Sequence, residues 1–389
     1  MARIVDAIVS HRSKKLSCVA AAQVLGMSER HFRRLRDVYE AEGADGLVDA
    51  RRGCANGRRA PVDEIEWVLN EFGTRYFDLR TKHFHECVLG APMRDGSVFQ
   101  RSYSWTKSVL QSRGLVSRAK KRGKHLRKRE RKPLAGMMLM QDGSTHDWFG
   151  DGRQLDLIVT LDDATSNILS MFFVEQEGTA STLRGLREVI ARHGLFSSFY
   201  TDRGSHYFYT PQAGGKVDPN RLTQVGRALK QLNIQHIASY TPQGRGRMER
   251  VWDTLQKRLV PLLRHHRITD MAAANLWLRD VYMAQHNQTF GGKQREEGTA
   301  FIAFVGDLTN ILCIEEERTV SGDNCVSYRK LKLQIPLSPH RHHFVKAIVR
   351  VVEYGDGAMA IFHGPRKIAS FHADGSAVAD QETPRKSAA

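Results

Sequence analysis

The feature that most limits how this chain can fold is a short apolar run, Met137-Met138-Leu139-Met140, followed at once by Gln141-Asp142-Gly143-Ser144. Too short for a helix and bounded by Gly and Ser, it predicts a buried strand with Asp142 as its last residue, holding one negative charge at the end of a sheet. The runs Leu155–Leu161 and Ile168–Val174 predict two more strands, joined by the turn Asp162-Asp163-Ala164-Thr165-Ser166-Asn167. Thr179 to His193 carries Leu183, Leu186, Val189 and Ile190 at helical spacing and stops at Gly194. A fourth strand around Ser198–Thr201 leads into Asp202, Leu222 to Leu232 predicts a helix, and Ile234–Ile237 a short fifth strand. From Arg247 onward a long helix carries Met248, Trp252, Leu255, Leu259 and Leu262 as its apolar stripe. Glu249 projects about 100° away from that stripe.

The 389 residues allow two to four domains, and 59 Lys+Arg against 42 Asp+Glu leave a formal charge of +17. A balance that basic favours a polyanionic partner, and nucleic acid is the expected one. No apolar run reaches the roughly 18–20 residues of a membrane span, and the N-terminus lacks the long apolar core of a signal peptide. The five cysteines are scattered and form no C-x-x-C pair, so neither a disulfide framework nor a zinc ribbon is expected. His83, His85 and Cys87 cluster without the second ligand pair that tetrahedral zinc needs. A reduced, cytoplasmic, nucleoid-associated protein is the resulting expectation.

Val19–Leu25, Gly26 and the cap Ser28, followed by a helix from Glu29 to about Glu42 closed by Gly43, have the layout of a helix-turn-helix. Phe32, Leu35, Val38 and Tyr39 would face its core. Arg30, Arg33, Arg34 and Arg36 would face DNA from the second helix. Domain 1-50 is followed by a Gly- and Arg-rich linker, 51-61, and by a second helical DNA-binding domain, 62-117. There Asp63 would cap a helix to Phe72 and Ser104 one from Trp105 to about Arg113, with 77–100 unassigned. Residues 118-133 form the densest basic run, including Lys120, Lys121, Arg122, Arg127, Lys128 and Arg129. Like charges so close keep a segment extended until phosphates neutralise it.

Three meandering strands, helix, strand, helix, strand, helix is the element order of a ribonuclease H-like mixed sheet. In that fold the ends of strands one and four lie side by side, so Asp142 and Asp202 can meet across 60 positions (202 − 142). The motifs Gln141-Asp142-Gly143-Ser144, Tyr200-Thr201-Asp202-Arg203-Gly204-Ser205 and Pro242-Gln243-Gly244-Arg245-Gly246-Arg247-Met248-Glu249 resemble the three acidic motifs of the retroviral-integrase superfamily. Asp142-Gly-Ser-Thr-His146-Asp-Trp148 and the helix from Glu249 to Leu259 are most similar to bacterial insertion-sequence transposases of the ISNCY group. The resemblance implies Asp142, Asp202 and Glu249 as an Asp-Asp-Glu triad holding two Mg2+ ions, with Mn2+ as a substitute. The 47 positions from Asp202 to Glu249 (249 − 202) are a long spacing, which an inserted loop at 210–220 would explain. The implied reaction cleaves DNA strands to 3′-hydroxyls and joins them to a target. Its partners are double-stranded DNA (terminal inverted repeats and target) and, because two ends are joined, further copies of the chain. Arg245, Arg247, Arg250 and Lys257 would grip DNA, while His146 and His206 are expected as hydrogen-bonding supports near the phosphates. Asp162 and Asp163 fit a hairpin turn better than a metal site.

Within this reading the catalytic core is 134-290, a connector 291-314, and a tail, 376-389, is polar and disordered. Short β-prone runs with turns between them over 315-375 predict a small β-barrel. The expected fold class is therefore multidomain α/β: N-terminal helix-turn-helix domains, a mixed-sheet catalytic core and a C-terminal barrel. Two other readings remain: a sequence-specific DNA-binding regulator with an inactive core, and a structure-specific nuclease that cuts without joining.

Overall fold

The computed structural model describes residues 2–48, 60–118, 129–212, 215–240, 242–337 and 341–378. The linker at 51–59, most of the basic run with Lys120, Lys121, Arg122, Arg127 and Lys128, and the tail from 379 lie outside the described residues. The chain divides into two compact units, Met1–Glu71 with Pro92–Phe99, and Phe72–Ala91 with Gln100–Ala389.

In the first unit, α1 (Ala2–Arg12), α2 (Cys18–Val24) and α3 (Glu29–Gly46) enclose a core of Ala7, Ile8, Ala21, Ala22 and Phe32. Ser17 and Ser28 cap α2 and α3 by accepting from the Ala20 and His31 amides. Gly26 holds a φ of 65°, which lets the chain turn tightly between the two helices. The predicted stop at Gly43 is a kink rather than an end: its φ of 70° breaks the helical geometry, and a further turn runs to Gly46.

Helix α4 (Val62–Thr74) starts one residue before the expected cap Asp63, which lies inside its first turn, and Ser102, not Ser104, caps α6 (Tyr103–Ser112). The stretch that the sequence left unassigned holds α5 (Thr81–Val88). Within the second unit α5 and its approach dock on the long helix α9 (Pro242–His265), where Glu86 accepts from Arg258 at 2.7 Å and Asp78 from Arg264 at 2.7 Å.

The second unit is built on a five-stranded sheet in the order β3-β2-β1-β4-β5. Its strands are β1 (Leu139–His146), β2 (Leu155–Asp162), β3 (Ile168–Val174), β4 (Ser198–Thr201) and β5 (Gln235–Ala238). The first three form an antiparallel meander, whereas β4 joins β1, and β5 joins β4, in parallel. One face is covered by α7 (Thr179–His193) and α8 (Gln224–Gln231) through Leu183, Leu186, Val189, Val225 and Leu229. The other is covered by α9, whose Met248, Trp252, Leu255, Leu259 and Leu263 meet Met138, Met140 and Val159.

The expected end of β1 at Asp142 is corrected. The strand runs four residues further, to His146, because its antiparallel ladder with β2 continues to the pair His146↔Leu155. What ends early is the other side, where parallel pairing with β4 stops at Met140↔Tyr200. Asp142 therefore sits where one neighbouring strand has just finished.

The single helix expected from Ile268 to His286 is α10 (Met271–Trp277), a π-turn (Leu278–Tyr282) and α11 (Met283–Phe290) in sequence. Asn275 clamps the backbone of Phe173 (2.6 and 3.1 Å) and Asn287 that of Ile168 (2.7 and 2.8 Å), both on edge strand β3. The two asparagines are 12 residues apart (287 − 275), about a third of a turn out of phase in an unbroken α-helix. The π-turn absorbs one residue, and the remaining 11 make close to three full turns, which returns both amides to one face.

The C-terminal barrel is also corrected. The strands β6 (Ile314–Thr319), β9 (Ile348–Glu353), β10 (Met359–His363) and β11 (Arg366–Phe371) form an open sheet ordered β11-β10-β9-β6. A separate hairpin, β7 (Cys325–Tyr328) with β8 (Leu331–Gln334), packs on it through Val326, Tyr328 and Leu333. The core is filled between two layers, so the strands reach burial without closing into a ring.

Candidate active site

Asp142 and Asp202 lie at the same end of two neighbouring strands. The parallel pairs Leu139↔Phe199 and Met140↔Tyr200 are the last of the ladder, Asp142 follows two residues later on β1, and Asp202 is the first residue after β4. Asp202 is shaped by the loop it begins, accepting from the Gly204 amide at 2.9 Å. Asp142 accepts from the indole N–H of Trp252 at 3.0 Å, and one strand period further Ser144 accepts from Gln256 at 3.1 Å. Four helical residues rise about 6 Å and two strand residues about 6.6 Å, so α9 and β1 keep step. Glu249 precedes Trp252 by three residues on this tracking helix, less than one turn away. Its side chain is exposed. Among the described residues no three His, Cys, Asp or Glu side chains stand close enough together to hold a metal ion. Asp142 and Asp202 thus stand at the same end of neighbouring strands, with Glu249 on the adjoining helix.

A buried polar chain lies behind Asp142, on the α7 face. Gln141 donates to Thr160 at 2.8 Å, and the Tyr207 hydroxyl stands 3.2 Å from both Gln141 Oε1 and Glu177 Oε1. Burial drives the Tyr207 phenol well above its ordinary pKa, and the carboxylates of Glu177, Asp142 and Asp202 push it the same way. Sequence reasoning missed Glu177 and Tyr207. The one local hint was the position of Glu177 just before the first turn of a helix that starts beside the sheet's carboxylate end.

The expected DNA-binding residues fall into three groups. In the helix-turn-helix, Arg30, Arg33 and Arg34 are exposed, with Arg33 paired to Glu29 and Arg34 to His31, while half-buried Arg36 pairs with Asp37 at 2.6 Å. On α9, Arg250 is exposed and Lys257 pairs with Asp253; of Arg245 only the helical backbone is described. The third group is committed inward. Arg129 and Arg247 both pair with the fully buried Asp163, and Arg247 also donates to the Arg129 carbonyl at 2.8 Å. Asp163 accepts in addition from the Lys132 amide at 2.9 Å, and Arg131 donates to the carbonyls of Asp163 and Ala164. The neighbouring Asp162 is spent on the Gly136 and Thr165 amides. Both turn aspartates are therefore anchors. Burial, with Arg129, Arg131 and Arg250 nearby, pulls Arg247 down to about 10.

His206 lies against Gly204, and its Nε2 is buried with no hydrogen-bond partner, 3.6 Å from Glu177 Oε1. His146 stacks edge-on against Trp148. His83, which opened the zinc reading, is held at about 4 by burial and by Arg258, and His85 hydrogen-bonds Thr106 at 3.1 Å.

An N-terminal helix-turn-helix and a five-stranded mixed sheet with aspartates at the ends of two neighbouring strands define a class of multidomain α/β proteins. Comparisons narrow it. A winged helix-turn helix family profile matches residues 7–64. The "Putative transposase y4bF" of Sinorhizobium fredii is 27% identical over 351 residues, which cover 89% of this chain and 75% of that one. The "Transposase for insertion sequence IS1202" of Streptococcus pneumoniae is 28% identical over 316 residues, 73% of this chain and 66% of that one. Among solved structures, a simian T-cell lymphotropic virus intasome aligns with a TM-score of 0.34 at 14% identity, covering 67% of this chain and 84% of that chain. The magnesium-bound HTLV-2 integrase catalytic core aligns with a TM-score of 0.28 at 17% identity, covering 37% and 86%. The chain is thus similar over most of its length to proteins named as transposases, one of them that of an insertion sequence.

Proposed function

We propose that this protein is a transposase that recognises the terminal inverted repeats of its own element, frees 3′-hydroxyls there and joins them to target DNA. The observation that supports the reading is that the parallel neighbours β1 and β4 carry Asp142 and Asp202 at the same end, and that the helix of Glu249 is tied to Asp142 through Trp252. A donor set made only of carboxylates suits a hard cation such as Mg2+ or Mn2+, and Asp142, Asp202 and Glu249 would hold it. When bound, two such ions lower the cost of charge on the attacking and leaving oxygens. Approach of Glu249 to the two aspartates completes the site and couples it to bound DNA.

In the first step water attacks a phosphorus atom and the bond to the 3′-oxygen breaks. That hydroxyl then attacks a target phosphodiester, one P–O bond forming for each that breaks, so no nucleotide is consumed. Arg30, Arg33 and Arg34 supply the helix-turn-helix contacts, and Arg250 and Lys257 flank the site. Copies of the chain pair to hold two ends.

The test incubates purified protein with labelled terminal-repeat DNA, a target plasmid and Mg2+. Joined products are expected. Nicks without joining would replace the reading with a nuclease, and binding without either would leave a DNA-binding regulator.

A further inference from the structure

We propose that Glu177 is a positioning residue of this same site, a fourth carboxylate whose charge draws the divalent cation toward Asp142 and Asp202 without ligating it. The proposal rests on the transposase reading above. Glu177 reaches the site from a third element, the turn between β3 and α7, and its amide is fixed by Asp156 Oδ2 at 2.6 Å. Asp156 is itself buried on β2 opposite Thr145, which donates to its other oxygen at 2.5 Å. The carboxylate is therefore mounted on the sheet and not on a mobile surface turn.

Its head group lies flat on the backbone next to Asp142. A methyl group at Gly143 would stand 2.7 Å from Glu177 Cδ, a distance that real Cβ atoms do not adopt. Glycine at 143 is what lets the Glu177 carboxylate lie against the strand that carries Asp142. On its other side Glu177 meets the Asp202 loop, with the Tyr207 hydroxyl at 3.2 Å and the partnerless His206 Nε2 at 3.6 Å from Oε1. One side chain thus spans the strand of Asp142 and the loop of Asp202. Negative charge at Glu177 adds to that of Asp142 and Asp202, and a divalent cation relieves the repulsion among them.

Two properties separate this role from simple support. Replacing Glu177→Gln keeps the shape and an acceptor for Tyr207 but removes the charge. Glu177→Asp keeps the charge and shortens the arm. The full-length protein is titrated with Mn2+ and free ion is followed by electron paramagnetic resonance, beside thermal melting without metal. E177Q is expected to raise the half-saturating Mn2+ concentration about tenfold, E177D by a smaller factor, and neither to lower the melting temperature. Cleavage by E177Q returns toward the parent value at saturating Mn2+. Unchanged Mn2+ affinity in E177Q overturns the proposal, as does a loss that E177D shares in full. D142N is the control for the underlying reading: if D142N binds Mn2+ like the parent, the carboxylate site itself is wrong, whatever E177Q does.

Discussion

Replacing Asp163→Ala should unfasten the start of α9. Asp163 is completely buried, and it neutralises Arg247, whose side chain is 11% exposed, and Arg129, which is 33% exposed. Deleting one partner of a buried ion pair costs about 3–5 kcal/mol, because the surviving charge is left stranded away from water. Arg129 can turn outward, so the lower figure, about 3 kcal/mol, is the expectation. For a domain of this size each kcal/mol moves the melting temperature by about 2–4 °C, which predicts a fall of about 6–12 °C. Asp163→Asn keeps an acceptor for the Lys132 amide and should lose less. Electrostatics gives a second readout. Two guanidiniums released from Asp163 become available to phosphates, each adding about 0.9 to the slope of log affinity against log salt. Calorimetry and a salt series of DNA-binding titrations measure both. Melting within about 2 °C of the parent, with an unchanged salt slope, would show that Asp163 does not hold these arginines.

Asp142→Asn should abolish both cutting and joining while DNA affinity barely changes, as measured by gel assays beside binding titrations; a variant that still cuts removes Asp142 from the chemistry. Gly143→Ala should cost about 1–3 kcal/mol by forcing Glu177 off the strand, read in denaturant melts. Ser28→Ala removes the cap of α3 and should destabilise the first unit by about 1 kcal/mol, with weaker DNA binding. Acid should destabilise the fold through histidines buried as neutral rings: burial holds His83 at about 4, His236 at about 3 and His286 at about 4. With folded values below the unfolded one, their stabilisation is complete above about pH 6.5 and is lost as pH falls toward 4, by about 1.4 kcal/mol per unit per group. Denaturant melts from pH 7 to 5 should show this slope, and His236→Gln should flatten it.

Local pattern carried much of the core. β2, β3 and α7 were legible almost residue for residue, because continuous apolar runs and a clean helical stripe leave little choice of element. The end of β1 was not, since Gly143-Ser144 has the composition of a stop. Gly143 in fact serves the close approach of Glu177, a contact with a residue 34 positions away (177 − 143). Of the two aspartates read as turn residues, Asp163 opens the β2–β3 turn and Asp162 is the last residue of β2. Their burial depends on Arg129, Arg247 and Gly136, which no local window contains. Helix α5 escaped notice because its buried face is His83, Phe84, His85 and Val88, two histidines where an apolar stripe would show. The C-terminal strands were visible as runs, but closure is a property of strand order, and the order found there leaves two edges. For the site, the placement of Asp142 and Asp202 at the same end of neighbouring strands followed from the order of elements. Glu177, brought in from a third element, did not.

The paired asparagine amides along β3 have a bearing on how copies of this protein can meet. An outer strand whose N–H and C=O groups are already answered by side chains at Ile168 and Phe173 offers a poor template for a neighbour's backbone. Assemblies formed on DNA would then join through side-chain surfaces rather than by extending the sheet at this margin. Deleting one residue from the π-turn would swing one amide out of line and expose that margin to unwanted pairing.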